Sequence, residues 1–105
     1  MSTYPEPTPL NDPFPGAGPV LKRELNAILG NFFYRFEHEE SSKTVMSQLL
    51  RLYETMLLSR AQEIGGKIYM HTQQLMQACA DFANGHGKIE AVYKYLEDLK
   101  GDLRS

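Results

Sequence analysis

Pro19-Val20-Leu21-Lys22-Arg23-Glu24-Leu25-Asn26-Ala27-Ile28-Leu29-Gly30-Asn31-Phe32-Phe33-Tyr34-Arg35-Phe36 is the stretch on which the fold turns. At a helical step of about 100° per residue, Leu21, Leu25, Ile28, Leu29, Phe32 and Phe36 fall within an arc of about 100°, with Phe33 at its edge. A strand would alternate its apolar residues with period two, whereas these recur at three and four. The stretch therefore reads as an amphipathic helix with one face reserved for a core.

Upstream the chain changes character. All six prolines lie at or before position 19: Pro5, Pro7, Pro9, Pro13, Pro15 and Pro19. Proline lacks a backbone donor and pushes its predecessor out of the helical region, so residues 1–18 are expected to form an extended, Pro-rich arm rather than a helix. Residues 19–105 form the expected helical domain, with Pro19 in the first turn, where its missing N–H costs nothing. The arm carries Asp12-Pro13-Phe14, which resembles the short ligands of clathrin-adaptor appendage domains. It contains no Pro-x-x-Pro, which argues against an ordinary SH3 ligand, and Leu10, Phe14 and Val20 are expected to fold back onto the bundle or a neighbouring subunit.

Downstream, Glu37-His38-Glu39-Glu40 and Ser41-Ser42 interrupt the pattern, and Ser42 can cap a second helix by accepting from the amides ahead. There Val45, Met46, Leu49, Leu50, Leu52, Tyr53, Met56, Leu57 and Ile64 cover a wider apolar arc of about 160°. Gly65-Gly66 ends it, since glycine enters the left-handed cap conformation without steric cost. A third helix, from Lys67 to Asn84, buries Ile68, Thr72, Leu75, Met76, Cys79, Phe82 and Ala83. After the turn Asn84-Gly85-His86-Gly87, a fourth carries Ile89, Val92, Leu96, Leu99 and Leu103, with Glu90 complementing the dipole of its first turn. Four helices with short links and no period-two segment predict an all-α fold, a compact, mostly antiparallel four-helix bundle.

Composition bounds the function. Of 105 residues, 42% are hydrophobic and 23% charged, and 11 Lys and Arg against 13 Asp and Glu give a formal charge of −2. That is one soluble domain, not a polycation built to coat nucleic acid or anionic lipid. No apolar run reaches about 18 residues, so no membrane association is expected, and Met1-Ser2-Thr3-Tyr4 starts no signal peptide. A cytoplasmic location, or an intracellular one in a host, is the expectation. The single cysteine, Cys79, excludes an intramolecular disulfide framework and points toward the core as a small hydrophobe.

Chemistry finds few footholds. His71 and Cys79 are eight apart with directions about 80° different, and no Glu-x-x-His pair accompanies Glu37 and Glu40, so no metal site is expected. No nucleophile elbow, phosphate-binding loop or dinucleotide fingerprint occurs, so neither enzymatic activity nor a cofactor is expected. One weak anion cradle stands out: Gly85, His86, Gly87 and Lys88 lead into a helix N-terminus, where free amides, an imidazole and a lysine could hold a phosphate or carboxylate.

The residues a bundle does not explain are the candidates for partner binding. Tyr34 and His38 are four apart and nearly opposite the apolar arc, with Ala27 and Val20 on the same side. Either the two rings rest on their own helix in solvent, or this is a second contact face, for which tyrosine supplies area at low entropic cost. Arg60 projects near the centre of the second apolar arc, either snorkelling at the helix end or pairing with a carboxylate of a partner or a second copy. Met70 projects among Gln73, Gln74 and Gln77. Ala27, Tyr34, His38, Arg60 and Met70 thus define a non-enzymatic protein-interaction module binding a partner protein or itself as a homo-oligomer. The alternative is a nucleic-acid-associated regulator using basic helix ends: Lys22 and Arg23 start the first helix, Lys67 the third and Lys88 the fourth.

One partial likeness accompanies this reading. Gly65-Gly66-Lys67-Ile68, followed by Ile89-Glu90-Ala91-Val92 and Leu96-Glu97-Asp98-Leu99-Lys100, resembles the second half of flagellin-export chaperones, small helical bundles that hold an unfolded substrate. The similarity covers less than half the chain, and the N-terminal half carries no corresponding motif, so membership is not assigned.

Overall fold

Serine and glycine punctuation sets the helix limits in the computed structural model, which describes residues 17–104. The elements are α1 (Ala17–His38), α2 (Lys43–Ile64), α3 (Gly66–Ala83) and α4 (Ile89–Arg104). Ser42 caps α2 as its sequence position predicts, its hydroxyl accepting from the Val45 amide at 3.1 Å. Gly65 and Gly66 sit at φ +80° and +57°, and the Gly65 amide donates to Ala61 carbonyl at 2.8 Å to close α2. α1 begins at Ala17, two residues before the predicted start. Pro19 is then its third residue, inside the first turn, and the steric restriction that proline places on its predecessor falls on Gly18, which has no Cβ to clash. The expected docking of Leu10 and Phe14 and the Asp12-Pro13-Phe14 motif lie outside the described residues.

Long-range pairs fix the directions. Arg60 near the end of α2 reaches Glu24 near the start of α1, and His71 early in α3 pairs with Asp102 late in α4. Tyr93 early in α4 bonds Glu37 late in α1. Each pair joins the start of one helix to the end of another, so the bundle runs up-down-up-down. α2 packs on α1 and α3, and α3 on α4, whereas α4 returns to α1 along a much thinner seam. α1 and α3 lie on a diagonal, bridged in the interior by Phe36 and Phe82, whose ring centres are 6.1 Å apart.

The core contains the predicted faces. Leu25, Leu29, Phe32 and Phe36 of α1 meet Met46, Leu49 and Leu57 of α2, Leu75, Met76 and Cys79 of α3, and Val92, Leu96 and Leu99 of α4, all buried. Burial of this kind stabilises by about 25 cal/mol per Å² of apolar surface removed from water. Thr72 is buried too, and its hydroxyl donates to Ile68 carbonyl at 2.7 Å, so its side chain is not left unpaired there. The α2 face is narrower than its sequence arc. Leu52 and Met56 remain 60% and 40% exposed, because a helix flanked by two neighbours cannot bury an arc of about 160°.

Candidate functional site

On α1 the helical period that buries Leu25, Leu29, Phe32 and Phe36 turns Val20, Ala27, Tyr34 and His38 outward. Tyr34 is 61% exposed, and the His38 ring stacks on it with centres 4.0 Å apart and planes 25° from parallel. His38 Nδ1–H donates to the Tyr34 carbonyl at 2.8 Å, so the imidazole is held on its own helix while the tyrosine face stays open. Val20, Ala27 and Tyr34 recur every seven residues, which places them in one line along α1.

This line borders the α1–α4 seam. An open cavity of about 390 Å³ lies there, with Leu29, Phe33 and Leu96 in its apolar interior and Gly30 and Tyr34 on the α1 wall. Tyr93 and Lys100 line the opposite wall. The Tyr93 hydroxyl donates to Glu37 Oε2 at 2.8 Å, and its ring sits 5.8 Å from that of Phe33, tying the two helices together at one end. Burial, then the hydrogen bond to Glu37 and its negative charge, push the Tyr93 phenol up to about 12. Gly30 has open space around it: a methyl group placed there would meet no atom within 4 Å.

The remaining predicted residues do not join this surface. The Arg60 guanidinium lies between carboxylates of its own chain, 3.8 Å from Glu24 and 3.4 Å from Glu63, with its side chain 41% exposed. That arrangement matches a snorkelling arginine whose head is satisfied on the surface. Met70 is 46% exposed on α3, the helix diagonal to α1. At Gly85–Lys88 the amides turn inward: Gly85 donates to Phe82 carbonyl at 3.1 Å, and His86 and Gly87 donate to Asp81 carbonyl at 2.8 and 3.1 Å. Those three donors close the turn rather than face an anion. A methyl on Gly87 would stand 2.9 Å from Asp81 Cβ, which is why glycine occupies that position.

Sequence reasoning missed the tertiary polar links, among them Tyr93–Glu37 and His71–Asp102, whose partners stand 56 and 31 residues apart. No local spacing signals either pair. Cys79 is buried, and desolvation, then the charge of Glu54, raise its thiol to about 12, which keeps it protonated and inert. Among the described residues, no group of three His, Cys, Asp or Glu side chains is placed to hold a metal ion, and no helix is long and apolar enough to cross a membrane. No protein-family model, curated protein or solved structure matches this chain.

Proposed function

We propose that this chain is a non-enzymatic, cytoplasmic interaction module that acts by binding polypeptide, and that its first partner is a second copy of itself. The observation that carries the reading is the outer line of α1: Val20 and Tyr34 remain 45% and 61% exposed, in register with Ala27. A small residue in the middle of the line, Ala27, lets a second helix approach closely, and an aromatic at its end supplies contact area. Gly30 supports it from beside the line. A glycine inside a helix, at no strained φ and with empty space around it, lowers helix stability without serving the monomer's own packing. Two copies related by a two-fold axis would pair α1 against α1, each contributing the same face.

Size-exclusion chromatography with light scattering tests this. The wild type is expected at twice 12.0 kDa. Ala27→Glu should move it toward the monomer, and Tyr34→Ala should weaken association by about tenfold or more, with helix content unchanged. A wild type that stays monomeric up to millimolar concentration, or variants that assemble as it does, would remove the proposal.

A further inference from the structure

The seam opens, at the end of the bundle where α1 begins and α4 stops, onto a second cavity of about 560 Å³. Lys22 and Arg23 reach it from α1 and Lys100 and Arg104 from α4, with Asn26 and Leu103 completing the lining. Four of the chain's 11 Lys and Arg side chains therefore meet at one concavity, although the whole chain carries −2. Among the described residues, no carboxylate lines this cavity. Glu97 approaches Lys100 only to 4.0 Å, while Asp102 pairs with His71 and lines a neighbouring cavity together with Lys22. Among the described residues, Arg23 and Arg104 form no ion pair.

Helix electrostatics explains only one of the four. Arg104 stands in the last turn of α4, where a cation complements the dipole, and Lys100 lies one turn earlier. Lys22 and Arg23 stand in the second turn of α1, and the first turn holds no acidic residue to offset them. Cations gathered against their mutual repulsion are stabilised when an anion joins them.

We infer that this cavity binds a compact, soluble polyanion: a small molecule carrying at least two phosphate groups. Two guanidinium forks and two ammonium groups match adjacent tetrahedral oxyanions, the forks giving bidentate contacts and the lysines point charge. Asn26 adds an amide for an ester or hydroxyl oxygen. The volume falls within the range of small-ligand sites. An extended nucleic-acid backbone fits less well, because it requires a cationic stripe, and the seam beyond this cavity is lined by Glu37 and Glu97. The inference does not rest on self-association.

Calorimetric titration of the full chain at constant ionic strength with orthophosphate, pyrophosphate and tripolyphosphate tests it. Saturable binding should strengthen at least tenfold from orthophosphate to tripolyphosphate. The double variant Lys100→Ala/Arg104→Ala should lose at least tenfold in tripolyphosphate affinity, and Arg23→Ala alone should show a smaller loss that decides the matter if the double variant unfolds. Lys43→Ala/Arg51→Ala, which line a separate cavity at the far end of the bundle, should bind as the wild type does. Tyr34→Ala should also leave this affinity unchanged, so failure here and failure of the self-association reading are separable. The proposal is overturned if tripolyphosphate shows no saturable binding at millimolar concentration, or if the cavity variants bind it unchanged. It is also overturned if a single-stranded oligonucleotide binds more tightly, with affinity growing with its length.

Discussion

Replacing Gly30 by alanine should make the isolated bundle more stable. Gly30 lies in the interior of α1, is exposed, and has no positive φ to protect. A Cβ there would meet no atom within 4 Å, so the substitution adds no clash. What it removes is the excess conformational freedom that glycine carries in the unfolded chain, worth about 0.5–1 kcal/mol in a helix interior. For a domain of this size that corresponds to a rise in Tm of about 2–8 °C. The assay is thermal and urea unfolding of wild type and Gly30→Ala, followed by circular dichroism well below any association concentration. An internal control comes from Gly87→Ala, where the new Cβ would stand 2.9 Å from Asp81 Cβ, so that variant should lose about 1 kcal/mol or more. An unchanged or lower Tm for Gly30→Ala would refute the reasoning, since it would mean that glycine satisfies a need within the monomer. If the stabilised variant also self-associates less well, the two effects together would identify Gly30 as a position kept small for a neighbour.

Other expectations follow from particular contacts. Cys79, buried and raised to about 12 by desolvation and then by Glu54, should resist a thiol reagent in native buffer and react at once in denaturant; prompt native reaction would contradict its placement. Tyr93 is pushed above the ordinary tyrosine value of about 10, to about 12, so its contribution is fully present below about pH 10 and is lost as pH climbs toward 12. Tyrosinate absorbance should show one late-titrating phenol in the wild type that Tyr93→Phe abolishes. Glu40 occupies a left-handed conformation at φ +78° while exposed at the surface, and Glu40→Gly should gain about 1 kcal/mol by urea unfolding; no gain would mean that the turn is held by other forces. Asp102→Ala leaves His71 without its partner between α3 and α4, where the two side chains are only 19% and 17% exposed, and should lower stability by about 1–2 kcal/mol; an unchanged urea midpoint would show the pair contributes nothing.

Legibility in the sequence follows the range of the interactions. Ser42, Gly65 and the 3,4-spaced apolar residues act within a turn or two, so the limits of α2 and the core faces of α1, α3 and α4 are readable from the order of residues alone. Tyr34 and His38 are legible as a pair because four residues is about one helical turn. The breadth of the α2 face is not: Leu52 and Met56 are apolar and fall at the edge of the same arc as Leu57, and only the number of neighbouring helices decides that they stay exposed. Arg60 lies toward the middle of that arc, yet Glu24 of another helix draws its head to the surface.

By itself, then, the order of residues determined the all-α class, the four helices and which side of three of them turns inward, because hydrophobic period, capping hydroxyls and glycine turns are local physics. Only the tertiary structure decided what those helices expose together. Antiparallel packing brings the beginning of α1 beside the end of α4, so Lys22 and Arg23 share one cavity with Lys100 and Arg104, far away in the chain, and Glu37 meets Tyr93. The thin contact between α1 and α4 leaves the seam open beside Tyr34. A linear pattern reports which way a side chain faces on its own helix. Which charge or ring stands opposite it depends on how whole helices pair, and that is settled by the balance of burial over the entire core.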